Sequence, residues 1–283
     1  MPKQFIPDDV ARYYRAACIA ELQALKPGNV HLFADGHGMT IHDFIKSADA
    51  SAVVISQSGL GVGERIYAAV EATNKAVGIN TNLGVILLCA PLIHAALNGE
   101  GKLTLQQNLL HILNTLTVGD AVLTSKAIVL ANPAGLGQSD VHDVRLHPKV
   151  TLLEVMHSAQ YKDRIAWQYA NQFADIIGFG IKCYNDAWEK WQNKAWATTA
   201  LYLNFLGKYP DTHVVRKYGE AVADIVRLEA QEIEADFKSA DNPKLLQKSL
   251  MNWDVSLKKR GINPGTSADL TVATILAQTL IGN

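Results

Sequence analysis

The sequence predicts an all-α protein, a single compact domain of about ten to twelve helices. Three observations carry this reading. Apolar residues recur in threes and fours along nearly the whole chain. Thr followed three residues later by an acid or amide, the helix-start pattern, precedes several apolar runs. No hairpin signal or alternating strand of useful length occurs. The 283 residues show no internal repeat, low-complexity linker or composition shift that would mark a domain boundary. That length is ample for one buried core.

The elements follow in order. VARYYRAACIAELQAL (10–25) is helical and stops at Pro27-Gly28. Thr40 and Asp43 form a capping-box pattern that opens a helix near 41, running to about 58. SGLGVG breaks the chain, and a helix over 64–77 closes at Gly78. LGVILLCAPLIHAAL (83–97) is too short to span a bilayer and carries Pro91 and His94, so it reads as a buried helix. Thr104 and Gln107 open the next helix, to about 118, and a short one covers 119–131. Residues 131–150 have no regular period; a loop of that length, with Asp140, His142, Asp143 and His147, suggests a lid. Thr151 and Glu154 restart a helix, and 161–206 gives two or three more, rich in Trp and Tyr. After a break at 207–213, residues 214–237 are strongly amphipathic and 243–260 helical. A turn over 261–270 leads to the last helix, with Ser267 as its expected N-cap.

Bulk chemistry excludes several classes. Hydrophobic residues make up 48% and charged residues 19%, the net charge is −1, and no basic stripe occurs, so no nucleic-acid partner is expected. Lys258, Lys259 and Arg260 read as a helix C-terminal cluster. Cys18, Cys89 and Cys183 are scattered, with no C-x-x-C, which fits neither a cysteine zinc site nor a disulfide framework. The N-terminus has no apolar signal core, so the protein is expected to be cytoplasmic and off the membrane. The large apolar helices leave a homodimer open.

Chemistry-capable residues gather in four polar breaks between helices. KPGNVHLFADGHGMTIHDF (26–44) holds Lys26, Gly28, Asn29, His31, His37, His42 and Asp43. Glycines there allow close backbone approach, and a Lys beside free N–H groups suits a polyphosphate. The Walker spacing is absent. GINTNLG (78–84) offers Asn80 and Thr81 before a very apolar helix. DTHVVRKYG (211–219) offers Asp211 and Arg216, an N-cap and a phosphate clamp. NPGTSADL (263–270) offers Thr266, Ser267 and Asp269. Helix capping explains many of these residues as well as ligand binding does. If the four helix starts converge, they form a site for a polyanion with Mg²⁺ held by carboxylates.

The order Glu21, Lys26-Pro27-Gly28-Asn29-Val30, His42-Asp43-Phe44, Gly78-Ile79-Asn80-Thr81, Asp211-Thr212, Arg216 and Pro264-Gly265-Thr266-Ser267-Ala268-Asp269-Leu270 resembles the triphosphoribosyl-dephospho-CoA synthases. The matching residues span nearly the whole chain. The resemblance implies an all-α transferase that moves a triphosphoribosyl group from ATP to dephospho-CoA and releases adenine, with Mg²⁺. It implies His42, Asp43 and Asp269 as catalytic residues, Asp43 and Asp269 also as metal ligands. Lys26 and Arg216 would contact phosphates, while Asn29, Asn80 and Thr81 position the nucleotide. Gly28, His37, Asp211 and Ser267 complete the substrate-binding set. One departure stands out: Asn82-Leu83 occupies the place where the family typically carries His-Lys, which suggests a divergent branch. Two alternatives stay open. One is a related enzyme of the same fold acting on another phosphorylated acceptor, as in tetrahydromethanopterin-type one-carbon carrier biosynthesis. The other is a non-catalytic nucleotide- or metal-binding protein.

Overall fold

The computed structural model describes residues 5–99, 103–133 and 148–282. Among them stand fourteen α-helices and no strand: α1 (Pro7–Gln23), α2 (Ile41–Ile55), α3 (Val62–Val77), α4 (Leu83–Asn98), α5 (Leu105–Asn114), α6 (Val118–Ala131), α7 (Leu152–Ala159), α8 (Arg164–Ala170), α9 (Ile181–Trp191), α10 (Lys194–Lys208), α11 (Thr212–Tyr218), α12 (Glu220–Ser239), α13 (Gln247–Lys259) and α14 (Gly265–Gly282). The all-α class is as the sequence predicts. The helices outnumber the expected ten to twelve because amphipathic stretches are subdivided. Gly219, at φ +86°, turns 214–237 into α11 and α12. The expected lid and its Asp140, His142, Asp143 and His147 fall in 134–147, outside the described residues.

The capping boxes at Thr40/Asp43, Thr104/Gln107 and Thr151/Glu154 form, and Thr117/Asp120 adds one for α6. Ser267 is not an N-cap. Helix α14 already begins at Gly265, so Ser267 sits in its first turn and turns its hydroxyl to Asp211.

Helix α14 lies at the centre, packed against α1, α4 and α10. Apart from its ends it is almost wholly buried, and Thr271 and Thr274 satisfy their hydroxyls on backbone carbonyls of Ser267 and Leu270, both at 2.8 Å. Helix α4 is equally buried. Pro91 inside it has no N–H to give to the Leu87 carbonyl. The Tyr169 hydroxyl supplies that bond instead, at 2.6 Å, and pins α8 onto α4. Two of the three cations at 258–260 are spent on the fold: Lys258 bonds Asp254 and the Ala34 carbonyl, and Arg260 pairs with Glu229. No single helix among the described residues is long and apolar enough to cross a membrane; α5 and α6 pass together by composition but are bent by 94°.

Candidate active site

Two of the sequence breaks interlock. Gly28 has φ +84°, and a Cβ there would lie 2.8 Å from Cδ of Pro264, so K-P-G-N and N-P-G-T fit only with glycine at 28. The Asn29 amide donates to Asn263 Oδ1 at 2.8 Å. Around this junction Tyr202 donates to the Pro27 carbonyl at 2.7 Å, and the Gly28 N–H to Asp254 Oδ1 at 2.8 Å. Residues 36–39 close a two-residue turn with His37 at φ +58° and Gly38 at φ +75°. That turn brings His37 Nε2 back to donate to the Gly28 carbonyl at 2.8 Å. The neutral His37 ring therefore carries its proton on Nε2, and burial pushes its pKa down.

Beside the junction opens a cleft of about 750 Å³. It brings together Asn29, His37, Asn80, Thr81, Arg216 and Asp269, drawn from all four breaks. The 80–82 turn is anchored on α2: Thr81 Oγ1 donates to Ser47 Oγ at 2.6 Å, and the Asn82 amide to Ser51 Oγ at 3.3 Å. Asn80 Oδ1 also accepts the Leu83 N–H at 3.2 Å, so the capping reading of Asn80 holds as well.

Asp269 is the distinctive group. Its Oδ2 lies 2.0 Å from where a Cβ on Gly84 would sit. The glycine of NTNLG is thus the space in which the carboxyl rests. No hydrogen-bond donor reaches that carboxyl among the described residues. Burial raises its pKa well above the ordinary value, and the nearby charges of Asp211 and Glu21 add to the effect. Glu21, 5% exposed, also lines the cleft and is bound by Lys26 from behind. Burial raises the Glu21 pKa and lowers that of Lys26, while their contact opposes both shifts.

The opposite charge sits on the rim. Arg216 and Lys217 of α11 line the cleft with Lys162, which precedes α8. Asp163 fixes Arg216: its Oδ1 caps α8, accepting from Ile165 N at 2.8 Å, and its Oδ2 accepts from Arg216 Nη1. His213 lines the same surface, stacked so closely on Gly265 that a Cβ there would meet its Nδ1 at 2.9 Å. Burial pushes the His213 pKa down, so the imidazole is neutral near pH 7.

Several expected site residues do not line the cleft. Lys26 is wholly buried, its amine held by Glu21 and, at 2.9 Å, by Asn29 Oδ1, so it braces those groups instead of meeting a phosphate. Gly28 is covered by Pro264. Asp211 and Ser267 are buried and bond each other twice at 2.8 Å, while the other Asp211 oxygen caps α11. They join α11 to α14. His42 is exposed on α2. Asp43 commits Oδ2 to the Thr40 N–H and hydroxyl, both at 2.8 Å, as a helix cap. It does not join Asp269, and among the described residues no three His, Cys, Asp or Glu gather as a metal cluster. Sequence reasoning did not assign roles to Glu21, Lys162, Asp163, His213 or Lys217. His213 and Lys217 lie one helical turn apart in DTHVVRKYG, on the cleft face of Arg216, which was the available signal.

No curated protein sequence matches the chain. A crystal structure from Archaeoglobus fulgidus, described as a triphosphoribosyl-dephospho-CoA synthase, shares 23% sequence identity and a TM-score of 0.64, over 84% of this chain and 97% of that one. That likeness establishes a common fold. A family model described as CitG: ATP:dephospho-CoA triphosphoribosyl transferase matches residues 7–283. The chain belongs to the CitG family of ATP:dephospho-CoA triphosphoribosyl transferases.

Proposed function

We propose that this protein transfers the triphosphoribosyl group of ATP to dephospho-CoA and releases adenine. The observation that carries the reading is the pairing, in one cleft of a family member, of an unpartnered carboxyl, Asp269, with a cationic rim of Lys162, Arg216 and Lys217. In the reaction a hydroxyl oxygen of the acceptor bonds to C1′ of the ATP ribose. The C1′–N9 bond breaks, its electron pair leaves with adenine, the hydroxyl gives up a proton and adenine takes one. Positive charge develops at C1′. Asp269, with no other partner, is suited to face that charge, because the developing cation favours the ionised form that burial disfavours in the empty cleft. The cations of the rim are suited to the triphosphate.

Mg²⁺ would supply further neutralisation of the triphosphate. Its expected Asp43–Asp269 pair is reduced to Asp269, because Asp43 is committed as a cap. A single free carboxylate suits a cation that arrives already bound by phosphates. His213, neutral and on the cleft surface, replaces exposed His42 as the group placed to exchange a proton; His37 lies on the same surface. Asn29, Asn80 and Thr81 offer amides and a hydroxyl to the nucleotide. One continuous core supports reading the chain as a single domain, and the three scattered free thiols support a reducing, cytoplasmic setting. Steady-state adenine release with ATP and dephospho-CoA varied together tests the reading. Saturation in both substrates is expected; release that ignores dephospho-CoA would make the protein a nucleotide glycosidase instead.

A further inference from the structure

The charged groups of the cleft all come from α1, from the segment before α8, from α11 and from α14. Helices α6 and α7 contribute an uncharged wall, with Thr124, Ser125, Ile128, Leu152, Val155 and Met156. This wall lies outside every role assigned above. Thr124 is 2% exposed, and its hydroxyl has no hydrogen-bond partner among the described residues. Thr271 and Thr274 return their hydroxyls to a carbonyl of the preceding turn; Thr73, Thr198 and Thr199 are buried and unmet like Thr124, but among the described unmet groups Thr124 is the one that lines the cleft. An unmet hydroxyl on a cleft-lining residue is a cost in the empty protein; its oxygen is covered by protein, so a ligand polar group meets it only when the Thr124 side chain turns towards the cleft.

The chemistry of the wall distinguishes between parts of the two substrates. Phosphates need the charged rim. A purine gains most from an aromatic face, and the one aromatic ring of Phe or Tyr or Trp type on the cleft is Phe44, from α2 on the side of Asn80 and Thr81. The α6–α7 wall has branched aliphatic side chains, a flexible methionine and three hydroxyls, those of Thr124, Ser125 and Ser158. That combination suits a flexible, uncharged chain interrupted by amides. The acceptor carries such a chain, its pantetheine arm.

We infer that the α6–α7 wall is a subsite for the aliphatic, amide-bearing arm of the acceptor, with the Thr124 side chain turning its hydroxyl into the cleft to bond an amide of that arm. The inference rests on the proposed acceptor, and it makes Thr124 and Val155 specificity determinants distinct from the phosphate rim. Calorimetric titration tests it without needing turnover, using dephospho-CoA, ADP (the same nucleotide without the arm) and ATP. Wild type binds dephospho-CoA at least about tenfold more tightly than ADP. Thr124→Val, which removes the hydroxyl at nearly constant volume, weakens dephospho-CoA about three- to tenfold, with ADP and ATP unchanged and the melting temperature held or raised. Val155→Trp, which fills the half-buried wall, removes the advantage of dephospho-CoA over ADP. Equal affinity of wild type for dephospho-CoA and ADP overturns the subsite, as does a loss that falls on ATP instead. Arm-dependent binding without adenine release would keep the subsite and sink the transfer reaction; transfer without arm-dependent binding would do the reverse.

Discussion

The carboxyl of Asp269 rests where a side chain on Gly84 would have to be, with Oδ2 2.0 Å from that Cβ position. Two segments far apart in sequence, N-T-N-L-G and P-G-T-S-A-D-L, thus define one feature. Gly84→Ala must displace the carboxyl or tilt α4. Adenine release is expected to fall about a hundredfold, the cost of misplacing a reacting group by about 1 Å, with helical circular dichroism retained. Asp269→Asn should lose activity at least as severely. Near-normal turnover in both variants would remove Asp269 from the chemistry.

Asp43 gives the opposite expectation. Its carboxylate caps α2 through Thr40, which also lowers its pKa. Asp43→Ala should lower the melting temperature modestly and leave kcat within a few-fold of wild type. A collapse of kcat with an unchanged KM would restore Asp43 to the reacting centre.

Asp211 is 3% exposed and holds α11 to α14 through Ser267 while capping α11. Asp211→Ala leaves several buried donors unmet and should cost about 3 kcal/mol in urea unfolding. Because α11 carries His213 and Arg216 and α14 carries Asp269, kcat should fall with it. Stability within 0.5 kcal/mol of wild type, on the scale of about 0.5 kcal/mol for a neutral surface change, would show that the joint is not structural.

Arg216→Met removes a rim cation and frees Asp163. The KM for ATP should rise about tenfold or more, with the KM for dephospho-CoA changed far less. Asp163→Asn should give a weaker version of the same change, since it releases Arg216 without deleting it. A dephospho-CoA-specific effect would exchange the two substrates' places in the cleft.

Stability should also fall with acid in a defined window. His31 is wholly buried, and burial pushes its pKa below 6.5 despite the neighbouring Asp254. The unfolded chain takes up a proton near pH 6.5 where the native ring resists it, so stability is full above that pH and declines below it until the native ring itself titrates. The slope from this residue is at most about 1.4 kcal/mol per pH unit. Urea unfolding between pH 5 and 8 should show the decline in wild type and a shallower one in His31→Gln. An identical slope in the two proteins would place the acid sensitivity elsewhere.

Helices were legible in the sequence because their causes are local. Thr40, Thr104 and Thr151 announce their caps three residues ahead, and the apolar period of α1, α3 and α4 needs no partner to be seen. Convergence of the four breaks was not legible, because it depends on tertiary packing; the sequence offered it only as a condition, and the fold places Asn29, His37, Asn80, Thr81, Arg216 and Asp269 on one cleft. Which polar residue meets the ligand and which holds the frame was not legible. Lys26, Asp211 and Ser267 have the same residue types as ligand contacts, and only the tertiary partners Glu21 and, between the latter two, each other take them out of reach. The uncharged α6–α7 wall escaped notice because Thr, Ser, Val and Met at helical spacing look like any core-facing helix.

The central claim is the transfer itself, and the most direct test is adenine release from Mg–ATP with and without dephospho-CoA, followed by mass spectrometry of the acceptor. The account predicts adenine in equal amount to a dephospho-CoA product heavier by one triphosphoribosyl group. Intact ATP alongside unmodified dephospho-CoA, with folded protein, would contradict it.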